Sequence, residues 1–171
     1  MPYAILLNLG ENAHLNASGN ISIGSNGSVD LVVSGGSTVA ASDKPQTSAS
    51  EGNIDVQGSA NVSNGSVVAE GNINIAGSEG LKVINEPNSN GTHGQVVAEG
   101  DLTVSKGEAT IYGNGSVSVD GQFSVGNNAS VAGTLDTGSA DISGNLTVGS
   151  QSGSKIPNGS FTSNGQTQVE G

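Results

Sequence analysis

Gly71-Asn72-Ile73-Asn74-Ile75 is the stretch that decides the fold, because its pattern of glycine, polar, apolar, polar and apolar residues recurs along the chain. Alternation of apolar and polar residues predicts a strand with one buried and one exposed face. Six copies are present, and all twelve of their apolar slots hold Ile, Val, Leu or Phe; they begin at Gly19, Gly52, Gly71, Gly100, Gly121 and Gly144. The sequence therefore predicts a fold built from repeated strands.

The spacing of the copies predicts what lies between the strands. The copies begin 33, 19, 29, 21 and 23 residues apart, and a further interval of 27 residues ends at Gly171. A constant strand with unequal spacing is typical of solenoids, which keep their strands and absorb insertions in loops. The longer intervals contain turn-rich segments at residues 42–46, 86–91 and 156–159, which we expect to project as loops.

Further alternating segments set the number of strands per coil. After the strand at Gly100 come residues 109–112 and, beyond the turn Asn114-Gly115, residues 116–119. The predicted fold class is all-β, a parallel β-solenoid (β-helix) with about three short strands per coil and coils of 19–33 residues with loop insertions. Residues 1–18 are expected to form an N-terminal apolar strand, cap or assembly segment, and residues 19–171 a solenoid of six coils. A β-sandwich of hairpins is the competing fold.

Charge and composition exclude several classes of function. The chain has 15 acidic residues, four lysines and no arginine, and its net charge of -11 argues against nucleic-acid binding, which needs cations to neutralise phosphates. The absence of Cys excludes disulfides and thiol chemistry. No apolar run reaches the roughly 20 residues that span a bilayer, so membrane insertion is not expected. The apolar segment 3–9 is short and has no basic residues before it, unlike a signal peptide.

An enzyme is not expected, and no catalytic or cofactor-binding residue is predicted. His14 and His93 are far apart in sequence, and no Gly-x-Ser-x-Gly motif comes with a suitable His and Asp order. Solenoid lyases and glycosidases need basic residues or paired carboxylates with aromatic platforms for the sugar. The aromatic residues here are Tyr3, Tyr112, Phe123 and Phe161.

The residues that flank the repeated glycines are predicted to form columns along the solenoid. The polar residue after each glycine is expected to stack about 4.8 Å from the next and to form a hydrogen-bonded ladder; these residues are Asn20, Asn53, Asn72, Asp101, Gln122 and Asn145. The residue before the glycine is acidic at Glu51, Glu70, Glu99, Asp120 and Glu170. At this spacing carboxylates repel by only about 1 kcal/mol in water, so a solvated edge is the simple interpretation. Calcium bridging is the alternative, although the nonapeptide calcium repeat is absent.

The ends of the chain predict self-association. A solenoid leaves unpaired N–H and C=O groups at each end, and such edges are templates for further strands unless they are capped. The chain ends on the repeat boundary Val169-Glu170-Gly171, and the strand at residues 4–9 is too apolar for a solvated cap. We expect end-to-end filament formation through Tyr3, Ile5, Leu6, Leu7, Leu9 and Val169.

The repeats resemble those of filamentous-haemagglutinin-type adhesins, in which Gly-Asn-Ile-x-Val coils stack into long β-helices. Residues 144–149 and 130–135 are also similar to phage tail-fibre shafts. The resemblance covers residues 19–171 in the style of the repeat, and it implies a non-enzymatic structural or adhesive fibre protein. The implied location is extracellular, on a cell surface or a virion.

Two further expectations concern glycans. The alternative function is a carbohydrate-binding or receptor-binding module that uses the inserts around residues 42–49 and 86–94. Ten Asn-x-Ser/Thr sequons occur, and the loop positions Asn90 and Asn158 are the candidates for glycosylation if the chain is exported.

Overall fold

The chain folds into strands throughout the part that the structure, a computed structural model, describes. That part is residues 53–63, 65–84, 94–149 and 160–170 with their side chains, and the backbone of the strands within residues 5–41. The described residues form strands and no helix, in agreement with the predicted all-β class. Among these residues, accordingly, no helix of the length and apolarity needed to cross a membrane occurs.

The strands lie in two sheets. The first sheet contains β1 (Ile5–Leu9), β4 (Val29–Val33), β7 (Ala60–Ser63), β10 (Leu81–Ile84), β13 (Ala109–Ile111), β15 (Ala129–Val131) and β17 (Leu146–Val148). The second sheet contains β2 (His14–Ala17), β3 (Ile21–Ile23), β5 (Thr38–Ala41), β6 (Ile54–Val56), β8 (Ser66–Ala69), β9 (Ile73–Ile75), β11 (Gln95–Ala98), β12 (Leu102–Val104), β14 (Ser116–Val125), β16 (Thr134–Ile142), β18 (Ser160–Ser163) and β19 (Thr167–Val169).

The chain visits the same three places in turn. It passes through the first sheet, then through the part of the second sheet that contains β8, and then through the part that contains β9. We call these two parts of the second sheet the β8 half and the β9 half. One passage through all three places is called a repeat. β14 and β16 are long enough to cross both halves. The described strands make seven repeats. The predicted N-terminal segment, residues 1–18, contains β1 and β2, and these two strands belong to the first repeat. The domain boundary after residue 18 stays a prediction.

All recorded pairing between these strands is parallel, and each strand pairs with its counterpart in the neighbouring repeat. Examples are Leu81 aligned with Ala109 in the first sheet and Val96 aligned with Val117 in the second. Hairpins pair antiparallel, so this pattern does not fit the competing sandwich. Parallel sheets without helices are consistent with the β-solenoid that the sequence predicts.

The core is one continuous cluster of small and branched apolar side chains between the sheets. In β9 the apolar positions point inward, as predicted: Ile73 and Ile75 are each 1% exposed, while Asn74 between them is exposed. Phe123 is the largest of the fully buried side chains. Because burial of a branched aliphatic side chain contributes about 1.5–3 kcal/mol, this core is the main stabilising feature.

One of the six sequence motifs lies on a different face from the other five. The first five motifs supply β3, β6, β9, β12 and the second part of β14, all in the β9 half. Leu146, Thr147 and Val148 of the sixth instead form β17 in the first sheet, aligned with Ala129, Ser130 and Val131. The place expected for them is taken by Ala140-Asp141-Ile142 of β16, followed by Thr167-Gln168-Val169 of β19. The five-residue pattern therefore predicts a strand, but it does not specify which sheet that strand joins.

Asn20 lies outside the described residues. From Asn53 to Gln122 the polar residues after the glycines form a ladder, as predicted, but through side chain and backbone rather than through paired side-chain amides. Asn53 Oδ1 accepts a hydrogen bond from Asn72 N at 2.6 Å, and Asn72 Oδ1 accepts one from Asp101 N at 2.8 Å. Asp101 Oδ1 accepts from Gln122 N at 2.8 Å. Asn145 is not part of this ladder: its N–H donates to Asn128 Oδ1 at 2.9 Å, in a second ladder beside the first sheet.

The ladder explains why glycine precedes each polar residue. A Cβ on Gly100 would collide with Asn72 Oδ1, and a Cβ on Gly121 would collide with Asp101 Oδ1. Gly144 and Asn128 have the same relationship in the second ladder. Each glycine therefore leaves the space that the side chain of the preceding repeat fills, and the glycine-polar pair acts as one unit between repeats.

The ladder ends where the corner between the two halves becomes shorter. Residues 120 and 121 of β14 face the single residue Gly138 of β16, so the register shifts there. Thr137, the buried polar residue of this corner, donates from Oγ1 toward the carbonyl oxygens of Ser139 at 2.7 Å and Gly121 at 3.3 Å. At this shortened corner the hydrogen bonds of the Thr137 hydroxyl take the place of the side-chain-to-backbone bonds of the ladder.

Candidate functional site

The seventh repeat, formed by β17, β18 and β19, exposes side chains that every earlier described repeat buries. Val148 is 44% exposed, whereas Val131 at the same register position is 1% exposed. Val169 is 41% exposed, whereas Ile142 beneath it is fully buried. Leu146 and Phe161 of the same repeat pack only partly against the core. We call this surface the open repeat.

Backbone groups of β17 in the open repeat face away from the other described strands of the first sheet. In the first sheet the N–H of each inward-facing residue bonds to the following repeat: Ala109 N donates to Asn128 O at 3.0 Å, and Ala129 N donates to Asn145 O at 2.8 Å. Leu146 occupies the next position of this series. Since β17 ends the order of the first sheet, the N–H and C=O groups of Leu146 have no described strand beyond them.

The residues expected to mediate assembly lie at opposite ends of the strand order. Ile5, Leu6, Leu7 and Leu9 belong to β1, which pairs with β4 and ends the first sheet on the side away from β17. The structure describes the backbone of β1 and not its side chains, and Tyr3 lies outside the described residues. Val169 belongs to the open repeat. The two predicted contact regions therefore lie at the two ends of one stack.

Three of the five predicted acidic positions share a corner. Glu70, Glu99 and Asp120 follow the aligned residues Ala69, Ala98 and Val119. The other two differ, since Glu51 lies outside the described residues and Glu170 follows β19 at the next corner, where its N–H donates to Ile142 O at 3.0 Å. Within residues 53–63, 65–84, 94–149 and 160–170, no three His, Asp or Glu side chains are grouped so that they could hold a metal ion. Calcium binding at this corner stays a prediction.

Several predicted positions lie outside the described residues. These are the glycosylation candidates Asn90 and Asn158, His93, and nearly all of the inserts at residues 42–49 and 86–94. Only the strands on either side of two long connections are described. One connection follows β10 and precedes β11, and the other follows β17 and precedes β18; in both cases the strand before it belongs to the first sheet and the strand after it to the β8 half.

Sequence reasoning named Val169, whose role in assembly stays a prediction, and did not name Leu146, Val148 or Phe161 of the same repeat. It placed residues 144–148 in the β9 half, and so took β17 for an interior strand instead of the first strand of the open repeat. A signal was present: Gly138-Ser139-Ala140-Asp141-Ile142 and Gly165-Gln166-Thr167-Gln168-Val169 follow the same five-residue pattern with Ala and Thr in apolar slots. A pattern that allows Ala and Thr at the apolar positions would have assigned residues 138–142 and 165–169 to the β9 half.

The chain matches no protein-family model, no curated protein and no solved structure, so its own residues carry the functional argument.

Proposed function

We propose that the chain is a non-enzymatic structural or adhesive fibre element, a three-faced parallel β-solenoid that self-assembles end to end. The filament or surface appendage that it builds is extracellular, on a cell or a virion. The observation that carries the proposal is the open repeat, where Val148 and Val169 are exposed although their counterparts one repeat earlier are buried.

The strand pairing supports a stiff element. Each strand hydrogen-bonds to strands of the neighbouring repeats, and the polar ladder from Asn53 to Gln122 adds bonds in the same direction. Bending such a stack requires these bonds to lengthen on one side together. Seven repeats at the strand spacing give a rod of about 34 Å per copy, so a filament has an axial period near that length.

Apolar contact alone is a weak source of association at the open repeat. Full burial of a valine side chain contributes about 1.5–3 kcal/mol, and Val148 and Val169 are less than half exposed, so each adds on the order of 1 kcal/mol. Association has to overcome roughly 4–15 kcal/mol of lost translational and rotational freedom. Strand pairing across the joint therefore has to contribute as well.

Sedimentation velocity and negative-stain electron microscopy test the proposal on the intact chain and on a Val148→Asp/Val169→Asp variant. The intact chain is expected to form filaments, and the variant to remain monomeric with unchanged β circular dichroism, since both side chains are already partly in solvent. Ser130→Asp, at an exposed position of β15, the strand before β17, is the matched control and should still assemble. A monomeric intact chain at high concentration, or filaments from the double variant, contradicts end-to-end assembly.

Binding of surface glycans is the second candidate. A shallow depression of about 220 Å³ on the outer side of the β9 half is lined by the polar side chains of Thr103, Ser105, Ser124, Asp141 and Ser143. Hydroxyls and a carboxylate can hydrogen-bond to a polyhydroxylated ligand. A glycan array probed with the intact chain and with Asp141→Ala tests this candidate: a weaker signal from the variant supports binding in the depression, and a signal equal to that of the intact chain contradicts it.

A further inference from the structure

We infer that the joint between copies is a direct continuation of the sheets, in which β17 of one copy pairs in parallel with β1 of the next. In this register Leu146 is aligned with Leu7 and Val148 with Leu9 of the second copy. The inference rests on the proposed end-to-end assembly and adds to it the partner strand and the residue-by-residue alignment.

The alignment follows from a column of paired residues that runs through the whole first sheet. Leu7 of β1 is aligned with Leu31 of β4, and Leu31 with Ala60 of β7. The column continues through Leu81, Ala109 and Ala129 to Leu146. Leu7 and Leu146 are thus the first and last members of one column, and placing a second copy above the first extends that column without a shift.

Donors and acceptors at the outer edges of β1 and β17, the end strands of the first sheet among the described residues, are complementary in this alignment. At each described step above β7 in the first sheet, the N–H of the column residue donates to the carbonyl one residue before its aligned partner; Ala60 N donates to Gly80 O, for example, at 2.9 Å. By the same rule Leu146 N–H donates to Leu6 C=O of the next copy, and Val148 N–H donates to its Asn8 C=O. These are the groups that the strand order leaves facing the two ends.

The strands of the β8 half and the β9 half have the same residue-by-residue alignment along the stack as those of the first sheet. Phe161 of β18 lies at the end of the column that begins at Leu15 of β2, and Leu135 is its neighbour in that column. Val169 of β19 lies at the end of the column that begins at Ile23 of β3, and Ile142 is its neighbour. One displacement along the stack therefore brings all three pairs of strands into register together.

This joint is head to tail, so it is heterologous and leaves a free end at each end of the assembly. Such contacts build open filaments with a direction, whereas two open repeats that face each other build closed dimers. Parallel pairing with the core on the same side of both sheets requires the first arrangement, because the two-fold axis that keeps the core on one side makes the two copies of β17 antiparallel. The assembly is consequently expected to lengthen without a fixed number of copies.

Thiol cross-linking tests the register, because the chain has no cysteine of its own. Thr147 is exposed, and its column begins at Asn8 of β1. Asn8→Cys and Thr147→Cys single variants are mixed and treated with a short bis-maleimide that reaches across one strand spacing. The mixture is expected to give cross-linked dimers and neither variant alone should do so; the double variant should give a ladder of oligomers. Within one copy the two positions are six strand spacings, about 29 Å, apart, which excludes an internal cross-link.

Sedimentation of the same samples separates the two ways in which the experiment can fail. If no variant associates, the proposed assembly fails and this joint with it. If the chains associate but positions 8 and 147 do not cross-link, the assembly stands and the register is wrong. Stronger cross-linking of Leu6→Cys with Thr147→Cys indicates a slip by two residues, and cross-linking of Thr147→Cys alone indicates contact between two open repeats. Either result overturns the inferred joint.

Discussion

Asn72 Oδ1 accepts a hydrogen bond from the backbone N–H of Asp101 at 2.8 Å, across 29 residues of sequence, and occupies the space beside Gly100 where a Cβ would otherwise lie. The insert between β10 and β11 lies within those 29 residues, yet the bond is the same as that between Asn53 and Asn72, only 19 residues apart. The contact between repeats is therefore independent of the length of the loops.

Gly100→Ala is expected to destabilise the fold. Gly to Ala substitutions normally stabilise by about 0.4–1 kcal/mol when the backbone accepts them. Here the new Cβ would meet Asn72 Oδ1 and also the Gly71 carbonyl at 3.0 Å, so we expect a loss of about 1–3 kcal/mol from overpacking. The matched control is Gly149→Ala, whose Cβ would meet nothing within 4 Å. Urea denaturation of both variants measures the difference, and equal stability would contradict the steric role of Gly100.

Removing the side chain that causes the collision should partly rescue this variant. Asn72→Ala alone is expected to lower the free energy of unfolding by about 0.5–1.5 kcal/mol, because Asp101 N–H loses its side-chain acceptor and can bond only to water. In Asn72→Ala/Gly100→Ala the collision with Oδ1 is gone while the contact with Gly71 stays, so the double variant should lose less than the two single variants added together. Additive losses in a double-mutant cycle would show that the two residues do not act as a unit.

Ile73→Ala is expected to destabilise the fold by about 2–5 kcal/mol, since it removes a buried side chain and leaves a cavity. Ile73 is 1% exposed and lines a small apolar void of about 10 Å³ together with Ile54, Val67 and Leu81. Asn74→Ala, at the next residue on the exposed side, is the control; it removes the surface hydrogen bond that Asn74 Nδ2 donates to Asp55 Oδ1 at 2.7 Å, and should cost less than about 1 kcal/mol. Thermal melts that rank the two variants in the opposite order would contradict the register of β9.

Thr137→Val is expected to cost about 1–3 kcal/mol, because it keeps the shape of a buried residue and removes its hydroxyl from the carbonyl of Ser139. Thr134→Val changes the same residue type at an exposed position of the same strand and serves as the control. Chemical denaturation compares the two. A Thr137→Val variant as stable as the parent would show that the shortened corner does not depend on the hydroxyl.

Assembly is expected to increase with salt. Each copy has a net charge of -11, so copies repel one another at low ionic strength. Near 0.15 M salt the Debye length falls to about 8 Å, which screens exposed carboxylates while leaving apolar contact and strand pairing at the joint intact. Sedimentation at low salt and near 0.15 M should show a shift toward larger species, and a shift toward smaller ones would indicate that charge pairs hold the joint.

Local alternation in the sequence determined which residues face the core. A strand places successive side chains on opposite faces, so Ile73, Asn74 and Ile75 already specify one buried face and one exposed face without knowledge of any partner. The same local pattern predicted an all-β chain and, with the recurrence of Gly-Asn pairs, a ladder between repeats. The kind of bond in that ladder was not predictable, because the sequence does not show whether Asn72 meets a side chain or the backbone of Asp101.

Only the tertiary structure decided which strands stack on each other. Residues 144–148 carry the same pattern as residues 71–75, yet they join the first sheet, where Leu146 pairs with Ala129, because Ala140 and Ile142 of β16 already occupy the place in the β9 half. The exposure of Val148 follows from that pairing and not from its type, since Val131 at the same position is buried by the repeat above it. Pairing along the stack depends on contacts between distant residues, and burial depends on whether a further repeat covers the strand.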